Sequence, residues 1–343
     1  MMERFKHVCL FTAPRNNILR LLTTAVTLCF LTLGCGSPKI SIFPDESEPL
    51  REFTLQGKAD KKVLLLSING GISDEKKEGL FRPKPSMLQE FISQLHKAEK
   101  DKKIKAVLLK INSPGGTVTA SDIIYNELMR FKEKTGAKII VSMMDLAASG
   151  GYYISLSADY IMAHPTTVTG SIGVIAMRPE LSGLMEKIGV DVSLNKTGKN
   201  KDMGSWFRKQ TKEEESLIQD IIDNMGQRFI GLVKKHRKLT PSAEQEVATA
   251  RVFVADESLK LGLVDSIGYI NDALEKAKKI AELPKDAQLV VYRRTYYPDD
   301  NMYNTALNNY SGGKISVVDL GPINALANMG PGFYYIWPAA VGQ

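Results

Sequence analysis

Cysteine is nearly absent from this sequence, and its three residues, Cys9, Cys29 and Cys35, all fall within the first 35 positions. The rest of the chain therefore has no disulfide, no thiolate metal site and no cysteine nucleophile. Histidine is also scarce, with four residues, and none stands at ligand spacing from another. We expect no metal centre and no cofactor.

A strong excess of one charge is also lacking. The chain has 45 basic and 38 acidic residues, for a net charge of +7. Charged runs such as 99–105 and 209–215 mix both signs, which is typical of solvated helix faces. This pattern does not predict a nucleic-acid partner.

The N-terminal apolar run, residues 21–33, is 13 residues long and uncharged. A membrane span needs roughly 17–25 residues, so the run is better suited to a secretory signal. It ends at Gly34 and Cys35, which resembles a bacterial lipoprotein signal with Cys35 as the lipidated residue. An uncleaved anchor and an ordinary signal peptide are the alternatives. In each case the basic leader stays inside, and we expect the body in the bacterial cell envelope, outside the cytoplasmic membrane.

Apolar β-rich runs and helical patterns recur through the body of the chain, and together they predict an α/β fold with parallel strands and flanking helices. Strands are predicted over 63–68, 106–111, 138–143, 160–163 and 172–176. Helices are predicted over 86–99, 119–134, 152–158 and 270–281. A further helix is predicted to begin at the capping box of Thr211 and Glu214 and to end at about residue 235.

Ser149 comes after a predicted strand and a short loop, and it is followed by Gly150, Gly151 and a predicted helix. Free amides and the positive end of the helix dipole favour a developing anion at such a junction. Glycine also lets a substrate carbonyl approach the backbone. The motif predicts a nucleophilic serine, although a tight turn with a helix cap would have the same sequence.

A second glycine loop, NSPGG at 112–116, joins another predicted strand to a helix. Its amides at Gly115 and Gly116 could supply one oxyanion donor while the amide of Gly150 supplies another. The alternative is a simple βα turn. The loop lacks the GK[ST] ending of a phosphate-binding loop.

These residues do not identify the general base that Ser149 requires. His164 is one candidate, but it precedes Pro165 in a segment typical of a surface or packing role. A buried lysine with a lowered pKa is the other solution. The basic loop around 195–202 offers Lys196, Lys199 and Lys201.

Five motifs in order resemble the signal peptide peptidase SppA family in its short, single-domain form. They are NSPGG (112–116), AASGGYYIS (147–155), TGSIGV (169–174), TGKNKD (197–202) and GLVDSIG (262–268). The resemblance covers about 63–281. It implies a Clp/crotonase-like fold, Ser149 as nucleophile, Lys201 as general base, Ser171 as the residue that orients the lysine, and Gly115, Gly116 and Gly150 around the oxyanion.

The same resemblance implies a membrane-associated serine endopeptidase that degrades released signal peptides and other apolar peptides. The expected partners are peptide substrates, the cytoplasmic membrane and further copies of the chain in a ring. The domain assignment is a signal peptide or anchor (1–35), a linker or lead-in strand (36–60), the peptidase domain (61–283) and a C-terminal extension (284–343).

Other interpretations predict different features. A crotonase-type acyl-CoA enzyme would have Glu or Asp in place of Ser149, and the export segment argues against it. A catalytically inactive envelope scaffold would not need the serine and lysine together. A Clp-type triad would need a histidine near Ser171. For the closing GFYYIWP segment we predict packing on a neighbour or locally.

Overall fold

The computed structural model describes residues 48–76, 85–304 and 332–340. Its strands are β1 (Arg51–Gln56), β2 (Ala59–Asn69), β3 (Ile104–Ser113), β4 (Gly115–Thr117), β5 (Lys138–Ala148), β6 (Tyr160–Ala163), β7 (Val168–Gly170), β8 (Ile175–Met177), β9 (Val252–Val254), β10 (Ser266–Ile267), β11 (Ala287–Arg293) and β12 (Gly332–Ile336). Its helices are α1 (Met87–Glu99), α2 (Val118–Thr135), α3 (Gly150–Ser155), α4 (Ser182–Ile188), α5 (Lys212–His236), α6 (Pro241–Val247), α7 (Ala255–Lys260) and α8 (Ile270–Ile280), with a 3₁₀ turn at Pro338–Ala340.

Two sheets organise the described part of the chain. The larger has the strand order β1-β11-β2-β3-β5-β6-β10, with β7 beside β5 and β9 beside β7. Its central pairs from β11 to β10 are parallel, whereas β1 pairs with β11 and β9 with β7 in antiparallel fashion. The smaller sheet has the order β4-β12-β8 and is antiparallel. The parallel centre places the carboxyl ends of β3 and β5 at one edge, where ligands bind in such sheets.

The central strands are buried because helices cover both faces of the sheet, as parallel sheets require. Along β2 the side chains alternate, so Leu64 and Leu66 join the larger apolar cluster with α1, α2, α3 and the end of α5. Val63 and Leu65 join a second cluster against α8. The site described below is therefore supported by packed apolar layers on both sides.

The predicted α/β fold is confirmed, and the helix starts follow their capping residues. Ser86 accepts a hydrogen bond from the Gln89 amide before α1, and Thr211 accepts one from the Glu214 amide before α5. Both caps satisfy amides that the first helical turn leaves free. The capping box at Thr211 thus marks the start of α5, as predicted.

The single strand predicted over 172–176 is wrong. The chain instead forms β7, which ends at Gly170, and β8, which begins at Ile175. Gly170 and Ser171, at the end of β7, have φ angles of 88° and 51°. Left-handed backbone ends a strand, so the apolar pattern of Ile172 and its neighbours does not mark one continuous strand here. The short helix predicted from 152 begins earlier, at Gly150.

The larger sheet also uses residues outside the predicted peptidase domain 61–283. β1 lies in the segment assigned to 36–60, and β11 lies in the segment assigned to 284–343. β12 also lies in the C-terminal segment and joins the smaller sheet. Cys35 and the apolar run 21–33 fall outside the described residues. In the part of the chain that the structure does describe, no helix combines the length and the hydropathy needed to span a bilayer.

Candidate active site

Ser149 links β5 to α3 through a backbone conformation with positive φ, at φ 53° and ψ −112°. Its amide donates to the Gly170 carbonyl at 2.7 Å, and its carbonyl accepts from the Tyr153 amide at 2.8 Å. A non-glycine residue in this conformation is strained and persists only where its surroundings fix it. The two backbone bonds fix this turn from both ends.

The Ser149 hydroxyl is fully buried and has no hydrogen-bond partner among the described residues. Buried hydroxyls in folded proteins are nearly always paired, because an unpaired one loses its bonds to water without replacement. An unpaired hydroxyl on a strained turn is the combination expected of a nucleophile that awaits a substrate or a base.

The glycine loop after β3 lies directly against this turn. A Cβ added at Gly115, where φ is 103°, would lie 2.8 Å from the Gly150 amide nitrogen. At Gly116 a Cβ would lie 1.9 Å from the Ile72 carbonyl oxygen. Only glycine allows such close backbone contact. The Gly115 amide already donates to the Ser113 hydroxyl at 3.1 Å, so that amide has a partner within the chain.

Ser171 occupies the corresponding place on the neighbouring strand. In the parallel pair of β5 and β7, Ala148 lies opposite Gly170. Ser149 and Ser171 are the residues that come directly after this pair. Ser171 is 9% exposed, and its amide donates to the Arg251 carbonyl at 2.9 Å. Since paired strands run about 5 Å apart, the structure brings the two predicted site serines together at one sheet edge.

The three candidate lysines differ in their contacts. The Lys196 ammonium pairs with Asp202 at 2.5 Å, and the Lys199 ammonium pairs with Glu213. The Lys201 side chain is exposed, and its ammonium has no hydrogen bond or ion pair with any described residue. Because the Ser149 hydroxyl is also unpaired, one copy of the chain does not join Ser149 to Lys201 by a hydrogen bond.

Alternating charges hold the segment that carries Lys201. Asp202 accepts from Lys196 and from the Arg208 guanidinium, and Arg208 also pairs with Glu214 at the start of α5. The Arg208 guanidinium and the Lys196 ammonium hold the pKa of Asp202 well below its usual range. Arg208 and the Thr211 amide lower the pKa of Glu214 to about 2.

His164 does not serve Ser149. It lies just after β6, where its Nδ1 is 2.8 Å from the Thr166 hydroxyl and its ring packs edge-on against Tyr269 at 5.0 Å. Since the Ser149 hydroxyl has no partner, His164 makes no hydrogen bond to it. The packing role predicted for this histidine fits these contacts.

Sequence reasoning missed the role of the C-terminal strand. β12 lies between β4 and β8, and its Tyr335 pairs in register with Gly116. The closing segment therefore packs within its own chain and beside the predicted oxyanion glycines. The aromatic, β-prone pattern GFYYI was the available signal, but the sequence contains nothing that identifies its partner strands.

Comparisons with known proteins bear on the family and the fold class. The family model described as Peptidase family S49 matches residues 131–284, and the model described as Clp protease matches residues 83–170. The predicted Clp/crotonase-like α/β class is thereby confirmed.

Individual relatives are also similar over most of the chain. A protein of Enterococcus faecium named as a signal peptide peptidase SppA is 40% identical over 252 residues, which are 74% of this chain and 73% of that protein. A protease of Methanocaldococcus jannaschii is 36% identical over 215 residues, covering 63% of this chain and 68% of its own length. A mutant of ClpP1 from Listeria monocytogenes aligns with a TM-score of 0.39 and 18% identity, covering 61% of this chain and 94% of that chain.

Proposed function

This chain belongs to peptidase family S49 and is a serine-type peptidase, and we propose that it uses a Ser149–Lys201 dyad to cleave released signal peptides and other apolar peptides. The observation that carries the proposal is the buried, unpaired hydroxyl of Ser149 on a strained turn beside the Gly150 amide. This geometry suits attack on a carbonyl whose oxygen becomes negative.

In this mechanism the Ser149 Oγ attacks the peptide carbonyl while its proton passes to the neutral amine of Lys201. The oxyanion is held by the Gly150 amide and by the Gly116 amide of the neighbouring loop, since the Gly115 amide donates to Ser113. When the C–N bond breaks, Lys201 returns the proton to the leaving amine. A water then loses a proton to Lys201 and attacks the acyl-enzyme. As the acyl–oxygen bond breaks, Lys201 returns that proton to the Ser149 Oγ, which restores the hydroxyl and the neutral amine and releases the carboxyl product. Ser171 orients the lysine amine.

The dyad requires a second copy of the chain in this proposal. Within one copy, Lys201 is exposed and makes no bond to Ser149. The segment around it, residues 182–211, which we call the lysine arm, also exposes apolar side chains to an unusual degree. They are Leu184, Ile188, Val190, Val192, Leu194 and Phe207, each at least 46% exposed. Such a patch supports a homo-oligomer in which the arm of one protomer reaches the site of the next.

A labelling experiment tests the proposal. We expect a fluorophosphonate probe to label the wild-type protein and not Ser149→Ala. Lys201→Ala should lose peptide cleavage by about 10³-fold or more while the fold and the oligomer persist. Lys199→Ala is the matched control, because that ammonium is paired with Glu213 at the surface, and it should keep cleavage. Full cleavage by Lys201→Ala would assign the base to another residue.

We propose that the protein acts outside the cytoplasmic membrane, attached by lipid at Cys35 or by its apolar run. The basic leader and the sequence around Cys35 support this placement. Mass spectrometry of the mature N-terminus from bacterial membranes tests it. A mature chain that starts at Cys35 with added acyl mass is the expected result, and an intact N-terminus in a cytoplasmic fraction would contradict it.

A further inference from the structure

A small cavity lies on the face of the larger sheet that α8 covers, whereas α3 and its apolar contacts lie on the other face. Its volume is about 10 Å³, which is room for one water-sized occupant. The walls come from β2, from β11 and from the segment that follows β11, and they are Leu65, Ser67, Val291, Arg293, Asp300, Asn301 and Asn304. None of these residues takes part in the proposed cleavage reaction, so a ligand in this cavity is independent of the proposed function.

Two polar atoms on the cavity walls have no hydrogen-bond partner among the described residues. They are the Ser67 hydroxyl and the Arg293 Nε, and the two side chains are only 8% and 5% exposed. Buried polar atoms are nearly always paired, so unpaired atoms beside a cavity indicate a bound ligand or water. The Arg293 Nε can only donate a hydrogen bond, and a serine hydroxyl can rotate to donate one. The cavity therefore offers two free donors.

The Arg293 guanidinium is held in one place by its other contacts. It donates to the Asp300 carboxylate and lies over the rings of Phe53 and Tyr297, at 4.7 Å from each ring centre. Asp300 also accepts from the side-chain amide of Asn304 at 2.9 Å, which fixes the carboxylate. A donor that is already fixed loses little conformational freedom when it binds a ligand, so the Arg293 Nε is preorganised for binding.

Lys110 places a second positive charge beside the cavity. It lies opposite Ser67 in the register of β2 and β3, and it is 5% exposed. Its ammonium donates to the carbonyls of Met302 and Asn304 at 2.7 and 3.4 Å and has no carboxylate partner among the described residues. Burial lowers the pKa of Lys110 to about 8, so most of it is protonated at neutral pH. Because the nearby guanidinium already has its own carboxylate, one buried positive charge is left without a counterion, which costs free energy.

We propose that this cavity binds one small monovalent anion, such as chloride, through the Arg293 Nε and the Ser67 hydroxyl. The anion is the counterion of Lys110, which lies on the other side of the Asn304 wall. It also joins the segment 300–304 to β2 and β11, so its binding stabilises the attachment of this segment to the sheet. A larger oxyanion such as sulfate exceeds the room in the cavity.

Thermal unfolding of the full-length protein measures the binding in solution. Sodium gluconate is replaced stepwise by sodium chloride at constant ionic strength, so that the screening of surface charges stays the same. We expect the melting temperature to rise by about 4 °C between no chloride and about 200 mM chloride, because the ligand binds only the folded state. Sodium bromide should have the same effect. Equal melting temperatures in gluconate and in chloride would overturn the proposal.

The two serines on either side of Lys110 provide a matched pair of variants. Ser67 on β2 and Ser142 on β5 both lie opposite Lys110 and both are buried, but only Ser67 lines the cavity. Ser67→Ala should weaken chloride binding about tenfold and so reduce the melting shift by more than half, because it removes a hydrogen bond to a charged ligand. Ser142→Ala should keep the full shift. Equal shifts in the two variants would overturn the assignment of the site.

A charge variant tests the counterion role of Lys110. Lys110→Met keeps the length of the side chain and removes its charge, so it should also weaken chloride binding about tenfold. The full melting shift in Lys110→Met would contradict that role.

Crystals grown in sodium bromide locate the ion directly, and this measurement needs no variant. Anomalous diffraction at the bromine absorption edge should show one peak within about 3.5 Å of both the Ser67 Oγ and the Arg293 Nε. Density at this place without an anomalous signal would identify a water and overturn the proposal. Failure of the proposed function would leave these results unchanged, because neither Ser149 nor Lys201 lines the cavity.

Discussion

The nucleophile centre and the lysine arm are built in opposite ways. The centre, made of Ser149, Ser171 and the glycines 115, 116 and 150, is buried and fixed by backbone hydrogen bonds at strand ends. In the lysine arm, α4 has no buried residue at all. Ion pairs through Asp202 and Arg208 hold part of it in place of apolar packing.

This contrast shows which part of the site one chain completes by itself and which part it does not. Apolar burial stabilises the centre within one chain, since the strands around the Ser149 turn, β3, β4, β5 and β7, all belong to that chain. Exposed apolar side chains on the arm contribute no burial free energy until another surface covers them. If different copies contribute the two regions, changes in the centre and changes in the arm should have separable effects.

The largest effect is expected when a variant that lacks the nucleophile is mixed with a variant that lacks the lysine. Ser149→Ala and Lys201→Ala are each inactive in our proposal, yet unfolding and refolding an equimolar mixture should restore activity. If the lysine acts on the neighbouring copy, about a quarter of the sites regain both groups by random assembly. The measurement is peptide cleavage before and after mixing, and separately refolded variants are the control. A mixture that stays inactive would place both groups in one copy.

The next effect concerns the close backbone contacts of the centre. Gly116→Ala should destabilise the protein by about 3 kcal/mol, because its Cβ would meet the Ile72 carbonyl oxygen at 1.9 Å. Gly71→Ala is the matched control, since a Cβ there meets nothing within 4 Å. Urea unfolding measures both. Similar stabilities for the two variants would refute the tight contact.

A smaller effect is expected on the arm. Leu194→Asp should leave the stability of the single chain within about 0.5 kcal/mol, because this side chain is 58% exposed. It should weaken assembly about tenfold by placing a charge where another copy packs. Leu259→Asp, at 39% exposure on α7, is the control that should not alter assembly. Sedimentation velocity across a concentration series gives the comparison. Unaltered assembly in Leu194→Asp would remove this face from the interface.

The smallest effect is a pH response where the arm joins α5, at the ion pair of Arg208 with Glu214. The pKa of Glu214 lies at about 2, below its ordinary value of 4.5, so its bond to Arg208 stabilises the fold fully above pH 4.5. That stabilisation is lost as the pH falls from 4.5 towards 2. Trp206 lies in the arm and is one of two tryptophans, so its fluorescence in Trp337→Phe reports the change. Asp202 binds the same Arg208 and also has a lowered pKa, so adding Glu214→Gln should reduce the transition and leave the part due to Asp202. A transition of unchanged size in Glu214→Gln would assign it to groups other than Glu214.

The sequence predicted the nucleophile centre more fully than the lysine arm. The order of strands and glycine loops predicted the α/β fold and the junction at Ser149, because strand ends and glycine turns are local signals. Nothing local distinguishes Lys196, Lys199 and Lys201, whose different partners depend on Asp202 and Glu213 in the folded chain. The left-handed turn at Ser171 escaped prediction because Ile172 and Val174 follow the pattern of a strand.

The pairing of β12 with β4 and β8 has a consequence for biosynthesis. Both partner strands leave the ribosome long before Gly332 to Ile336 are made, and domains fold as the chain emerges. β4 and β8 pair with β12 and not with each other, so the smaller sheet has no hydrogen-bonded pair until β12 is made. The order of synthesis therefore sets when the newly made protein first joins these two strands.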